Sequence, residues 1–79
     1  MWQKGMLATT IGETPFIYEG SYSDGERSPK PADTHRNPQL GTGVYTVVSI
    51  SVGKAFLDVL GPDGIIYNGH HQEFVLYSA

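Results

Sequence analysis

Three histidines are the first residues whose chemistry needs an explanation: His35 in the middle of the chain and the adjacent pair His70-His71 near its end. Imidazole is a common metal ligand, but neighbouring residues on an extended segment point to opposite faces. His70 and His71 would then not bind one ion together, and no carboxylate stands at a recognisable ligand spacing. We therefore expect no metal site and interpret the pair as exposed turn residues, which would make binding pH-sensitive if they border a groove.

Ser28, Asp33 and His35 have the residue types of a catalytic triad, and Asp24 and Glu26 form a close pair of carboxylates. All five lie in a stretch rich in glycine, serine and proline, where side chains are solvated. Nucleophilic or acid–base catalysis requires a pocket that excludes water. A chain of 79 residues leaves little volume for one, so we expect no enzymatic activity and no cofactor.

Basic side chains in the same stretch indicate an alternative use. A folded-over loop could grip a small anionic ligand or nucleotide through five side chains: Ser21, Arg27, Lys30, His35 and Arg36. A glycine-rich phosphate cradle needs a following helix, whereas Gly41-Thr42-Gly43 precede a strand. The net charge of -3 argues against gripping a phosphate backbone, so nucleic-acid binding ranks below the other hypotheses.

Tyrosine is abundant for so small a protein, with residues at Tyr18, Tyr22, Tyr45, Tyr67 and Tyr77. A thin core cannot bury five phenols and also satisfy their hydroxyls, so several must be exposed. They form either ordinary sheet surface or an aromatic interaction patch, because tyrosine is enriched at interface hot spots. We predict a recognition surface formed by Tyr18, Tyr22 and Tyr45, the long loop and the His70-His71 turn.

The C-terminal part of the chain supplies the elements that would position these residues. Val44–Val52 is rich in β-branched residues and alternates so that Val48, Ile50 and Val52 share one face. Ala55–Leu60 is a further extended run. Both segments are predicted to be strands joined by Gly53-Lys54.

The clearest local signal is Gly61-Pro62-Asp63-Gly64, where Pro62 and Asp63 suit the centre of a type I turn and Gly64 can take a positive φ. Ile65–Tyr67 then returns along the previous strand. Asn68-Gly69 is predicted to be another turn, and Phe74–Tyr77 the last strand. This order indicates an antiparallel meander.

The N-terminal part is predicted to hold a first strand, Met6–Ile11, and a short apolar run, Phe16–Tyr18, that pairs with it or lines the following loop. The segment 20–43 is rich in glycine, proline and serine. Loops of this length are usually either functional or disordered. A mobile insertion and a binding loop both remain open, and in either case we expect the segment to lie free of the core.

Length and composition indicate one domain spanning residues 1–79, with no cysteine to cross-link it. We expect its stability to come from sheet closure, from core packing of Phe16, Phe56 and Phe74, or from a second subunit. A homodimer or higher oligomer would also cover unpaired strand edges. No apolar run reaches the length of a membrane span, and no signal peptide is evident, so we expect a cytoplasmic protein with no membrane contact.

This layout resembles an SH3-like barrel, a small five-stranded antiparallel all-β fold. The resemblance lies in the order of elements: Met6–Ile11 as first strand, the long first loop, the three-strand meander, and His70–Glu73 as the single 3₁₀ turn before the last strand. The chain lacks the acidic, tyrosine-rich loop motif and the tryptophan of peptide-binding SH3 domains, since its one tryptophan is Trp2. Recognition of proline-rich peptides is therefore not implied.

The expected function is that of a small non-enzymatic binding module that contacts another protein, as an accessory or inhibitory protein of a virus or mobile element would. No residue encodes that origin. The alternatives are sequestration of a small anionic ligand or nucleotide by the basic loop residues, and binding of nucleic acid.

Overall fold

A computed structural model describes residues 1–22 and 30–78, which form one antiparallel β-sheet of six strands. The strands are β1 (Leu7–Thr10), β2 (Tyr18–Glu19), β3 (Tyr45–Ile50), β4 (Phe56–Leu60), β5 (Ile66–His70) and β6 (Phe74–Leu76). Two 3₁₀ helices, Pro38–Gly41 and His71–Glu73, are the only helical segments in these ranges, and no helix there could cross a membrane. The predicted all-β antiparallel architecture is confirmed, as is the 3₁₀ turn before the last strand.

The strands lie in the order β2-β5-β4-β3-β1-β6, so β3 to β5 form the predicted meander and the last strand returns to β1. The expected five strands become six because Tyr18 pairs with Asn68, and Glu19 with Tyr67. The run Phe16–Tyr18 thus reaches β5 rather than pairing with β1 or staying within the loop. Within the described residues β2 and β6 form the two edges of the sheet, and no pairing between them closes it.

The turn between β4 and β5 is the one that the sequence predicts. The Gly64 N–H donates to the Gly61 carbonyl at 3.0 Å, the Gly61 N–H donates to the Ile65 carbonyl at 2.8 Å, and Gly64 has φ +84°. Glycine populates this positive φ without steric cost. The turn fixes the register in which Leu60 faces Ile66 and Val59 faces Tyr67.

A β-bulge in β3 decides which residues face the core. The pairing of β3 with β4 shifts between Val47 and Ser49, so that Val47 faces Val59 and Ile50 faces Leu57. The extra residue lets positions three apart share one face. The predicted face of Val48, Ile50 and Val52 is therefore wrong: Val47 is buried, Ile50 packs against the core and Val52 is fully exposed.

Asn68 and Gly69 form the middle of β5 and not a turn. A Cβ at Gly69 would lie 2.9 Å from Cγ2 of Ile17 and 3.2 Å from Cε2 of Phe74, so glycine is needed there for close packing. Asparagine and glycine favour turns, but here the pairing of β5 with β4 and the packing at Gly69 hold both residues in a strand.

The core is formed by residues from five of the six strands, from the residue that precedes β2 and from the long loop, namely Ala8, Ile17, Leu40, Tyr45, Val47, Leu57, Val59, Tyr67 and Phe74. Leu40 belongs to the segment that was expected to lie free of the core, yet it is 1% exposed. The Ala32 N–H donates to the Ile17 carbonyl at 2.7 Å. Burying a leucine side chain contributes about 1.5–3 kcal/mol, so the expectation of a free loop is wrong for residues 30–43.

Candidate binding cleft

The outer face of β4, β5 and β2 is built by strand alternation. Leu57 and Val59 point into the core, so Phe56 and Asp58 point away from it. Phe56 lies opposite His70, Asp58 lies opposite Asn68, and Asn68 lies opposite Tyr18 of β2. The result is a face on which aromatic side chains surround two buried polar ones.

A cleft of about 200 Å³ opens on this face, and we call it the aromatic cleft. Its lining residues are Phe16, Tyr18, Phe56, Asn68, Gly69, His70 and Glu73. The Phe16 and Tyr18 rings meet edge to face, with centroids 5.3 Å apart, and those of Phe56 and His70 do so at 5.7 Å. Such arrangements hold the ring planes in defined orientations.

Phe16 is held at the cleft by its neighbour and by its backbone. Ile17 is fully buried, so the preceding residue is directed outward and Phe16 is 57% exposed. The Phe16 N–H donates to Oε1 of Glu73 at 2.9 Å. A large exposed aromatic on an anchored backbone is typical of an interaction surface.

The 3₁₀ helix His71–Glu73 sets the opposite wall. His70 caps its start, with Nδ1 accepting from the Gln72 N–H at 3.2 Å. The Phe74 N–H closes the turn on the His71 carbonyl, and the Phe74 ring is buried in the core. These contacts bring Glu73 to the aromatic cleft.

Asn68 lies at the floor of the face and is 1% exposed. Its Nδ2 donates to the carbonyls of Gly20 at 3.1 Å and Tyr18 at 3.5 Å. Because both partners are acceptors, the amide cannot be flipped without placing oxygen against oxygen. Its Oδ1 is buried and has no hydrogen-bond partner in the described part of the chain.

Asp58 attaches the start of the long loop to the same face. The Ser21 hydroxyl donates to Oδ2 at 2.6 Å, and the Tyr22 N–H donates to Oδ1 at 2.9 Å. The Tyr22 ring then stacks on Phe56, with centroids 4.5 Å apart and planes at 15°. Hydrogen bonds to a charged acceptor are among the stronger ones, so the loop begins from a fixed point.

The residues predicted for the site divide into three groups. Tyr18 and His70 line the aromatic cleft, and Tyr22 stacks on Phe56 of its wall. His71 lies next to His70 but lines a different cleft. Tyr45 is fully buried, and its hydroxyl donates to the Leu40 carbonyl. Its assignment to the recognition surface is wrong, because Tyr45 and Val47 lie on the core-facing side of β3.

The basic residues form the remaining group. Lys30, His35 and Arg36 are exposed, whereas Arg27 lies outside the described residues. Arg36 Nε lies 4.0 Å from Oδ2 of Asp33. The next residue, Asn37, donates a hydrogen bond to Asp63 in the β4–β5 turn. His70 is at the other end of β5, which is about 13 Å long at about 3.3 Å per residue. His35 and Arg36 therefore do not share a surface with the His70-His71 turn.

His70 and His71 do not point to opposite faces. Their ring centroids are 4.5 Å apart at an interplanar angle of 32°, because the strand changes into the 3₁₀ helix between them. The prediction that the two rings point to opposite faces is therefore wrong. Among residues 1–22 and 30–78, no group of three histidine, cysteine or acidic side chains is placed to hold a metal ion.

Sequence reasoning missed five residues of the aromatic cleft: Phe16, Phe56, Asn68, Gly69 and Glu73. The two phenylalanines were expected to pack in the core. Phe16 is instead exposed and Phe56 lies on the outer face, while Phe74 is buried as expected. The alternation of Phe56 and Asp58 with Leu57 and Val59 is a usable signal, because an aspartate marks the outer face of that strand.

A larger cleft of about 410 Å³ lies between the N-terminal residues and the β3–β4 turn, lined by Met1, Trp2, Ile50, Ser51, Lys54 and His71. It depends on Met1, which is 92% exposed, and it has no buried polar atom that lacks a partner. We therefore place the candidate site at the smaller aromatic cleft.

A second polar cluster surrounds Asp63 at the opposite end of the β4–β5 hairpin. Its Oδ2 accepts from Asn37 Nδ2 and from the Tyr67 hydroxyl, each at 2.6 Å. Burial alone would raise the pKa of Asp63, but the hydrogen bonds from Tyr67, the Ile65 N–H and Asn37 outweigh it and lower that pKa below 3.8. Burial, and then the bond to Asp63, raises the pKa of Tyr67. We assign this cluster a structural role.

No protein-family model, curated protein or solved structure gives a significant match to this chain. The function is therefore argued from the aromatic cleft.

Proposed function

We propose that the protein is a non-enzymatic binding module of the SH3-like barrel class whose partner is another protein. Support for the class comes from the order of elements: a long loop after β1, a three-strand meander, and a 3₁₀ turn before a last strand that returns to β1. The fold class alone does not define a function, so the partner is argued from the surface.

The observation that carries the proposal is the exposed Phe16 at the rim of a cleft whose other walls are aromatic. Phe16 and Tyr18 pack edge to face and Tyr22 stacks on Phe56, so the aromatic surface lies in fixed positions and loses little conformational entropy on binding. Aromatic side chains of this kind dominate the energy of protein interfaces. An accessory or inhibitory role would follow from occupying a partner's surface.

Affinity capture with matched variants tests this function. We expect one partner to be recovered from the source lysate with the wild-type chain and with Val52→Ser, a fully exposed position in the β3–β4 turn. Phe16→Ser should lose that partner while keeping the melting temperature, because Phe16 lies outside the core. Equal recovery by Phe16→Ser and wild type would contradict the proposal.

Sequestration of a small anionic ligand or nucleotide receives less support. Among the basic residues that it requires, Arg36 faces the carboxylate of Asp33. The aromatic cleft of about 200 Å³ is also below the roughly 300–1,000 Å³ of small-molecule sites. This alternative predicts a rise in melting temperature with added nucleotide, which Arg36→Ala would reduce.

A further inference from the structure

The size of the aromatic cleft indicates that one side chain occupies it. At about 200 Å³, it lies below the roughly 300–1,000 Å³ of sites for drug-sized ligands. Phe16 and Tyr18 form one side, and Phe56 and His70 form another. A single side chain projecting from a partner protein matches this size.

The ring orientations favour a planar or cationic group. The ring planes of Phe16 and Tyr18 meet at 89°, and those of Phe56 and His70 at 84°. Each pair therefore offers the face of one ring beside the edge of another. The face of an aromatic ring attracts a cation, and arginine is the residue that most often uses it.

The polar atoms of the cleft distinguish a cation from an apolar side chain. Glu73 uses Oε1 to accept from the Phe16 N–H, and its carboxylate has capacity for further donors. Asn68 holds Oδ1 as a buried acceptor with no partner among the described residues. Among residues 1–22 and 30–78, no lysine or arginine lines the cleft. The uncommitted oxygens of Glu73 and Asn68 are acceptors, which favours a ligand with several N–H donors.

Asn68 contributes an independent observation, because its unpaired oxygen is not a consequence of the cleft's shape. Two carbonyls fix Nδ2, so Oδ1 cannot exchange places with it. A buried acceptor without a partner is rare in folded proteins. A water-sized probe does not reach Oδ1, so a partner's N–H pairs with it only if neighbouring side chains shift on binding.

We infer that the aromatic cleft receives an arginine side chain of the partner protein, with the guanidinium stacked on the aromatic walls and donating to Glu73 and Asn68. The planar guanidinium offers five N–H donors in a fixed fork, which suits two separate acceptors. This inference rests on the proposed protein-binding function and specifies the chemistry of its ligand.

Three model peptides test the inference on the full-length wild-type chain labelled with ¹⁵N. They are N-acetyl-Gly-Arg-Gly amide, the same peptide with citrulline, which keeps the shape without the charge, and the same peptide with leucine. We expect saturable shifts of the Asn68 side-chain amide and of the Phe16 backbone amide with the arginine peptide. Citrulline should bind about 10-fold more weakly, because charge-assisted hydrogen bonds are lost.

Glu73→Gln extends the test, because glutamine keeps an oxygen to accept from the Phe16 N–H and removes only the charge. It should weaken the arginine peptide about 10-fold and leave the citrulline peptide unchanged. Glu13→Gln, at an exposed site outside the cleft, is the control and should change neither. The peptide comparison on the wild-type chain stands even if Glu73→Gln fails to fold.

The possible failures are distinguishable. Equal binding of arginine, citrulline and leucine peptides would overturn the guanidinium assignment and leave the protein-binding function to be decided by the Phe16→Ser capture experiment. Absence of binding, or shifts confined to residues outside the cleft, would overturn the assignment as well. Equal recovery of the partner by Phe16→Ser and by wild type in the capture experiment would overturn the proposed function itself.

Discussion

Replacing Tyr67 with phenylalanine removes one hydroxyl from the cluster that ties the β4–β5 turn to the end of the long loop. The ring of Tyr67 is buried, and its hydroxyl donates to Oδ2 of Asp63 at 2.6 Å. The same carboxylate accepts from Asn37, which directly precedes the 3₁₀ helix that buries Leu40. The substitution keeps the ring in the core and deletes only the hydrogen bond.

The expected loss in the free energy of unfolding follows from the strength of this hydrogen bond and from the donors that Asp63 keeps. A hydrogen bond to a charged group contributes about 1.5–3 kcal/mol. Asp63 is only half-buried and keeps Asn37 and the Ile65 N–H as donors. No buried charge is left unpaired, so we expect Tyr67→Phe to lower the free energy of unfolding by the lower end of that range, about 1.5 kcal/mol. For a chain of this size that lowers the melting temperature by about 6–12 °C.

The pH dependence has a defined sign. The pKa of Asp63 is lower in the folded chain than the unfolded value of 3.8, so its contribution to stability is present above that value and is lost as pH falls through the folded pKa. Once the carboxyl is protonated, the bond from Tyr67 is between neutral groups and is about half as strong. The destabilisation by Tyr67→Phe should therefore decrease toward about half as the pH falls below 3.8 and the Asp63 carboxyl becomes protonated.

Urea denaturation at pH 7, 4, 3, 2 and 1.5 measures both effects, with Tyr77→Phe as the control. Tyr77 lies on the surface and its hydroxyl has no hydrogen bond among the described residues, so that change should stay within about 0.5 kcal/mol. A destabilisation by Tyr67→Phe that is the same at every pH would refute the assigned role of the Asp63 carboxylate.

Three further outcomes follow from the structure. Gly69→Ala should lower the free energy of unfolding by about 1–3 kcal/mol, because its Cβ would crowd Ile17 and Phe74, whereas Gly53→Ala, with open space around it, should change little in thermal denaturation. We propose that the uncharged edge of β6 pairs with a second copy of the chain, so that Leu76→Lys should dissociate the homodimer. Light scattering that finds the same mass for wild type, Leu76→Lys and the control Val52→Lys would contradict this. Burial raises the pKa of both Tyr45 and Tyr67. The free energy of unfolding should therefore decrease above about pH 10, where the phenols of the unfolded chain ionise first. Tyr67→Phe should make that decrease smaller, as measured by urea titrations at pH 8 and 11.

The β4–β5 hairpin could be predicted because its information is local. The residue types of Gly61-Pro62-Asp63-Gly64 restrict the backbone to one turn, and the flanking β-branched residues favour strands on either side. The 3₁₀ turn before the last strand was expected over His70–Glu73 from the resemblance to the SH3-like layout, and it spans His71–Glu73. The bulge in β3 was not predicted, because strand alternation alone does not reveal where one extra residue interrupts the pairing.

The candidate site was predicted only in part. Tyr18, Tyr22 and His70 were expected at the recognition surface and lie around the aromatic cleft. Tyr45 was expected at the surface and Phe16 in the core, but the tyrosine is buried and the phenylalanine is exposed. Residue type favours the opposite arrangement, but the hydroxyl of Tyr45 is satisfied by the Leu40 carbonyl, and only the folded chain brings those two groups together.

The sequence by itself determined an antiparallel β protein with a meander and a long polar loop, because turn residues and strand propensity act over a few positions. Tertiary structure alone decided that Leu40 enters the core, that Asn68 and Gly69 lie within a strand, and that four aromatic side chains line one cleft with Asn68. Each of these depends on contacts between residues about 20 to 60 positions apart, for example Ile17 with Gly69 and Phe16 with Glu73. Those contacts are fixed by pairing and packing across the sheet, which no local pattern of residues specifies.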